Sequence, residues 1–198
     1  MSLEFDPATH TYRLDGRIVP SVTQVLEILE DWRGVPPDVL EASREFGSNV
    51  HAACHLYNQE ALDWESLDPA LVPYVEGWAR FLDDSGAVVI LSEHQVAHRA
   101  LGYAGTLDVL AEWKRARPII DIKSGQLPRT VGPQTAAYAQ AYDAMAGVKA
   151  SPRPRYCVQL NPEFPRGYKV HALTDPSDWS IFQSALNCHR FREKTRAA

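Results

Sequence analysis

The run Ile119-Ile120-Asp121-Ile122-Lys123 narrows the possible folds of this chain more than any other stretch. It reads as a strand, mostly apolar, of the kind found near the middle of a sheet. Such a position ordinarily excludes charge, because an unpaired ion out of water is expensive. Asp121 and Lys123 are two residues apart and so project to one face. Residues 103–113 read as the preceding strand, which carries Asp108, and the polar tetrad 114–117 reads as the turn between them. With Trp113 opposite Pro118, Asp108 falls opposite Lys123. Asp108 and Asp121 are then diagonal neighbours on that same face, about 7–8 Å apart at the backbone and within reach of one shared ion. The residues alone leave two readings open. One is a buried Asp–Lys ion pair, or an edge strand with a wet face. The other is a hard-cation site, since carboxylate oxygens suit Mg²⁺ or Mn²⁺, with the lysine offsetting charge that builds on a phosphorus atom.

The rest of the chain gives this hairpin its surroundings. Residues 3–19 read as a hairpin turning at Asp15-Gly16. Ser21 reads as an N-cap, with Val22, Val25, Leu26 and Leu29 at helical spacing behind it. Helices are expected over residues 37–57 and 69–84, and a strand over residues 87–98. After the central hairpin come an alanine-rich helix over 132–146 ended by Gly147, strands over 155–160 and 167–173, and a last helix opened by Asp175-Pro176-Ser177. The order is hairpin, three helices, three strands, helix, two strands, helix. That is an α/β fold: a mixed central sheet flanked by helices, with a β-hairpin and helices added at the N-terminus. It is not the doubly wound pattern, and there is no glycine-rich phosphate loop.

With 198 residues, 45% hydrophobic and 23% charged, the chain can bury a core without staples. One domain is expected, residues 1–35 forming an extension and 36–198 the core. No apolar run approaches the length of a bilayer span, and the first residues lack the basic-then-apolar order of a secretion signal, so a cytoplasmic location without a membrane partner is expected. Cys54, Cys157 and Cys188 are scattered, which argues against a disulfide framework and against a cysteine-built zinc or iron–sulfur site. The net charge of −5 conceals an asymmetry. Residues 1–113 carry 6 basic and 19 acidic side chains, whereas residues 114–198 carry 14 and 6. A basic face could serve a polyanion; equally, the two halves could attract each other.

Gly102-Tyr103-Ala104-Gly105-Thr106-Leu107-Asp108, followed ten residues later by Ile119-Ile120-Asp121-Ile122-Lys123-Ser124-Gly125, resembles the PD-(D/E)XK nuclease superfamily. Gln134-Thr135-Ala136-Ala137-Tyr138 matches the Q-x-x-x-Y of the helix that follows. Gly47-Ser48-Asn49-Val50-His51 resembles the G-x-x-x-H of the RecB-like branch, and Glu93 matches a glutamate of that branch. Val19-Pro20-Ser21-Val22-Thr23-Gln24-Val25-Leu26 is similar to phage-type RecB-like exonucleases and mitochondrial genome maintenance exonucleases. These motifs span residues 19–142.

The resemblance implies a core of helix, three strands, helix and strand. It implies a metal-dependent deoxyribonuclease, an exonuclease on linear DNA with single strands favoured, leaving 5′-phosphates and serving recombination, repair or replication. His51, Asp108, Asp121 and the Ile122 backbone carbonyl would hold one or two Mg²⁺ or Mn²⁺ ions. Lys123 would orient the attacking water. Glu93 would ligate through water or orient another group. Gln134 and Tyr138 would position the site or touch DNA, and Ser124, Thr106, Ser21 and Thr23 would contact phosphate. Arg129, Lys149, Arg153, Arg155, Arg166 and Lys169 are candidates to track the DNA backbone, and Trp32, Tyr103 and Tyr156 to stack on bases. DNA is the expected partner, with a recombinase or single-strand-binding protein beside it, in a bacterial or phage-infected cytoplasm. Iron–sulfur relatives of the CRISPR adaptation type add four cysteines, which this chain lacks, so no such cluster is expected. A structure-selective endonuclease and a DNA-binding or assembly module with an idle site are the alternatives.

Overall fold

The computed structural model describes residues 2–148 and 152–196; Lys149 lies outside them. The N-terminal unit has three strands rather than two. Strands β1 (Leu3–Asp6), β2 (Thr11–Leu14) and β3 (Arg17–Val19) form an antiparallel sheet in that order. The β2–β3 turn falls at Asp15-Gly16, both at positive φ, as a two-residue hairpin turn requires. Ser21 caps α1 (Val22–Leu26) in a full capping box, its hydroxyl accepting from the Gln24 N–H and its own N–H donating to the Gln24 side chain. The helix then tightens into a 3₁₀ turn over Glu27–Leu29, so Leu29 leaves the buried stripe and is half exposed.

Helices α2 (Pro37–Asn58) and α3 (Val72–Ser85) follow, α3 closed by Gly86 in the left-handed conformation. Then come β4 (Val88–His98), β5 (Tyr103–Glu112), β6 (Ile119–Lys123), α4 (Val131–Ala146), β7 (Arg155–Leu160), β8 (Tyr168–Ala172) and α5 (Asp178–Arg196). Strands β4 to β8 form one sheet in sequence order. Every neighbouring pair is antiparallel except β6–β7, which is parallel and joined through α4. The fold is mixed α/β, a five-stranded mixed sheet flanked by helices with a small antiparallel sheet at the N-terminus. Residues of α1, α4 and α5 build one apolar cluster against the sheet, and residues of α2 and α3 build another. No helix among the described residues is long and apolar enough to cross a membrane.

The central hairpin departs from the expected register by two residues. Its turn is not the tetrad 114–117. Trp113 and Ala116 exchange both backbone hydrogen bonds at 3.0 Å, leaving a two-residue turn, Lys114-Arg115, at φ 52° and 61°. Two left-handed central residues make the mirror-type turn that suits the twist of paired strands. Neither residue belongs to the Asn-Gly or Asp-Gly type that signals such a turn, so the sequence did not reveal it. Val109 now pairs with Ile120 and Leu110 with Ile119. The same register carries Asp108 opposite Asp121 rather than opposite Lys123.

Candidate metal centre

Strands β4 and β5 lose their alternation at the same place. On β5, Leu107 and Leu110 pack into the same cluster, the one with α4 and α5, although an odd separation should put them on opposite faces. On β4, Leu91 and Val96 do the same. Pairing passes from Ser92↔Val109 to His94↔Leu107, which leaves Glu93 facing Asp108 outside the regular pairs. Glu93 supplies the change of phase on β4 with φ +50°, the one positive φ of a non-glycine residue inside a strand among the described residues. Glutamate has no special liking for this conformation, and such residues cost about 1–3 kcal/mol when the surroundings impose them. Both carboxylates sit where the pleat breaks.

Helix α2 brings His51 to that break. Its Nδ1 lies 3.5 Å from Asp108 Oδ1 and 3.7 Å from Glu93 Oε1. One ligand atom from each of His51, Glu93 and Asp108 lies within 4.8 Å of the others. The remaining Asp108 oxygen accepts the Ile122 N–H at 2.7 Å, which ties β5 to β6 beyond their last regular pair. A strand residue sends its N–H and C=O to the same edge, so the Ile122 carbonyl also faces the β5 side. Asp121 is almost fully buried. Lys123 Nζ donates to its Oδ1 at 3.0 Å and lies 2.8 Å from its Oδ2, and the buried Cys157 thiol on β7 also bonds this carboxylate.

The group holds three carboxylates against one lysine and one histidine. Burial disfavours the His51 imidazolium, but Asp108 and then Glu93 outweigh it and hold the pKa at about 10. Burial likewise works against the Lys123 ammonium, and Asp121 with Asp108 reverses it, so the pKa lies above the ordinary lysine value. These carboxylates favour the Lys123 ammonium, a hydrogen-bond donor. Asp108 is pulled below its usual value, burial being overcome by His51, Lys123 and the Ile122 N–H. Asp121 goes the other way, to about 6, because burial, with Asp108 adding to it, exceeds the pull of Lys123. A divalent cation fits this arrangement on two counts: the donors are hard oxygens and an imidazole, and negative charge is in excess. Octahedral ligands about 2.1 Å from a shared ion stand about 3 Å apart, close to the separations from His51.

The other expected site residues divide by what their side chains touch. Gln134 Nε2 donates to the Tyr138 hydroxyl at 3.3 Å, and the Tyr138 ring lies against Gly105, where an added Cβ would come within 2.7 Å of it. Asp108 and Asp121 add to burial in raising the Tyr138 pKa, which places the hydroxyl in the field of the centre. Thr106 Oγ1 lies 2.7 Å from the Tyr12 hydroxyl. Ser124 is half-buried near Gly47, the glycine one turn before His51. Ser21 is buried in its capping role and bonded to Thr23. Arg129 is exposed and makes no side-chain hydrogen bond or ion pair among the described residues.

Three of the arginines expected to track DNA are paired within the protein; Arg153 and Arg155 are largely buried in their pairs, and Arg166 stays exposed. Arg153 pairs with Asp143, Arg155 with Asp178 and Arg166 with Asp84. Two of the aromatics are committed to the fold: Tyr103 is buried with its hydroxyl on the Ala137 carbonyl, and Tyr156 packs on Trp113. Trp32 is 43% exposed. Tyr12 was not picked out from the sequence. Its buried ring sits beneath the N-terminal sheet and its hydroxyl feels Glu93. The alternation of Tyr12 and Leu14 in β2 marked it as inward-facing, but nothing local showed what it would face.

No family model matches the sequence, and no curated protein matches it. Solved structures similar to this chain include LHK-Exo in complex with dAMP, at 14% identity over 90% of this chain and 89% of that one, with a TM-score of 0.47. An alkaline exonuclease (LHK-Exo) from Laribacter hongkongensis shows 13% identity over 89% and 88%, again at 0.47. SSO0001 shows 11% identity over 73% of each chain, at 0.35.

Proposed function

We propose that this chain is a metal-dependent deoxyribonuclease of the PD-(D/E)XK superfamily, RecB-like branch, acting as an exonuclease on linear DNA with single-stranded DNA favoured. One observation carries the reading. A ligand cluster of His51, Glu93 and Asp108 lies beside an Asp121–Lys123 pair on adjoining strands, and the hard donors and negative excess of the group suit a divalent cation. The ordered motifs from His51 to Tyr138 support the same chemistry.

His51, Glu93 and Asp108 would hold Mg²⁺ or Mn²⁺, with Asp121 and the Ile122 carbonyl completing the set. The bound ion supplies Lewis-acid polarisation of the scissile phosphate and acidifies water. Asp108 keeps its ligand oxygen aimed because its second oxygen is held by Ile122 N–H. Lys123, kept cationic by Asp121 and Asp108, donates to the attacking water or to a phosphate oxygen and offsets charge developing there. Asp121 fixes the ammonium in place. Tyr138 and Gln134 form a paired donor wall on α4 for the DNA backbone.

The test is digestion of end-labelled single-stranded DNA, matched duplex and covalently closed circles with Mg²⁺, Mn²⁺ or EDTA, alongside Lys123→Ala. The expected result is metal-dependent loss of linear DNA, fastest for single strands, with circles spared and the variant inactive. Cut circles would replace the exonuclease with an endonuclease. Metal-independent cleavage, or none on any substrate, would overturn the reading.

A further inference from the structure

Glu93 does not hold its left-handed backbone unaided. Ser92, the residue before it, is fixed to α2 by two side chains. Asn58 Nδ2 donates to Ser92 Oγ at 2.9 Å, and His55 Nδ1 lies 2.9 Å from the same oxygen. Trp78 of α3, fully buried, donates its indole N–H to Asn58 Oδ1 at 2.7 Å. An indole N–H can only donate, so it sets which end of the Asn58 amide turns to Ser92, and that end is the donor. The Ser92 hydroxyl keeps its own proton and a second lone pair, either of which serves the contact with His55 Nδ1. Donation runs from Trp78 through Asn58 to Ser92, which also bonds His55.

His55 stands one helical turn after His51, on the same face of α2. One helix face thus presents His51 to the carboxylates and clamps the strand beside Glu93. Without that clamp, Glu93 would return to the extended conformation that non-glycine residues prefer. Alternation would resume along β4, and its carboxylate would turn away from His51.

We propose that Ser92, held by Asn58, His55 and Trp78, is the positioning anchor of the metal centre: it pins β4 to α2 and so turns the Glu93 carboxylate toward His51 and Asp108. This rests on the metal-site reading above, and it assigns to Ser92 and its partners a role in shaping the site without touching the ion.

The experiment has two arms. Crystal structures of the metal-free protein and of Ser92→Ala read the Glu93 backbone directly. Mn²⁺ titration followed by electron paramagnetic resonance reads affinity in the wild type, Ser92→Ala, Ser92→Thr, Glu93→Gln and the Ser92→Ala/Glu93→Gln double variant. Expected are a negative φ at Glu93 in Ser92→Ala and an Mn²⁺ affinity about 10-fold or more below wild type, the scale for losing a group that orients a ligand. The double variant should bind no more weakly than Glu93→Gln alone, and Ser92→Thr, which keeps the hydroxyl, should stay within about twofold of wild type. If Ser92→Ala does not fold, Trp78→Phe, which removes the directing N–H, must reproduce part of both changes. A positive φ kept in Ser92→Ala would overturn the anchor whatever the metal does. So would undiminished Mn²⁺ affinity in Ser92→Ala when Glu93→Gln binds weakly. A wild-type protein that binds no Mn²⁺ would instead remove the metal-site reading, and the anchor's role with it.

Discussion

Two groups of buried charge sit in this molecule, and they are built on opposite principles. At one, Arg155 meets Asp178 at 2.8 Å and also donates to the Gly132 carbonyl and to Thr135, while Arg153 meets Asp143, the Arg117 carbonyl and the face of Tyr142. Two arginines face two aspartates, and both arginines are largely satisfied within the protein. At the other, three carboxylates face one lysine and one histidine, and Glu93 sits in a costly backbone conformation. A buried pair that serves the fold is saturated, since each unmet partner costs stability. The unsaturated group is held in place by the rest of the fold and is short by what a cation would bring.

If that contrast is right, substitutions in the two groups separate activity from stability. The largest effect belongs to the unsaturated group. Lys123→Ala and Asp108→Asn should each lower DNA cleavage by about 10²–10³-fold, far more than any accompanying loss of Tm accounts for. Asparagine still offers an oxygen to the Ile122 N–H, so the hairpin keeps its tie. A Tm loss as large as the activity loss implies would make this group structural and erase the contrast. Next comes Arg155→Met, which strands Asp178 and should cost about 3–5 kcal/mol of stability, read as a Tm lower by roughly 10 °C, with cleavage per folded molecule unchanged.

Cation binding sharpens the contrast further. At about 100 times its Kd, Mn²⁺ should stabilise the protein by about 2.7 kcal/mol, a Tm rise of roughly 5–10 °C. Thermal scans should show that rise in wild type and Arg155→Met, and not in Asp108→Asn. The smallest effect is that of pH on the metal-free protein. His51 has a folded pKa of about 10 against an ordinary value of 6.5, so the fold favours its protonated form. That stabilisation is complete below pH 6.5 and is lost as pH rises through 10. Denaturation at pH 6.5 and pH 10 should differ by about 2 kcal/mol, given the partial exposure of the site, and Asp108→Asn should shrink the difference.

The sequence made the architecture legible where local rules and packing agree. The Asp15-Gly16 turn, the Ser21 cap, the Gly147 helix end and the strands of the central hairpin all follow from residue type and periodicity. The hairpin register did not, because Lys114-Arg115 makes a mirror-type turn without the glycine that usually announces one. The two-residue error kept the parity, so Asp108 and Asp121 still came out as neighbours. Glu93 was legible only as a motif match: nothing in Ile90-Leu91-Ser92-Glu93-His94 predicts a left-handed residue in mid-strand. That conformation depends on Asn58 and Trp78, more than 14 residues upstream in the chain. The basic residues after Lys123 suggested a DNA track, yet Arg153, Arg155 and Arg166 had partners that only the folded chain brings near.

The most direct test of the central claim is an anomalous difference map from crystals soaked in Mn²⁺. The account predicts one strong peak among His51 Nδ1, Glu93 and Asp108, near the Ile122 carbonyl, and none beside Asp143 or Asp178. An empty cluster at saturating Mn²⁺, with Lys123 and His51 still holding the carboxylates as they do here, would contradict it.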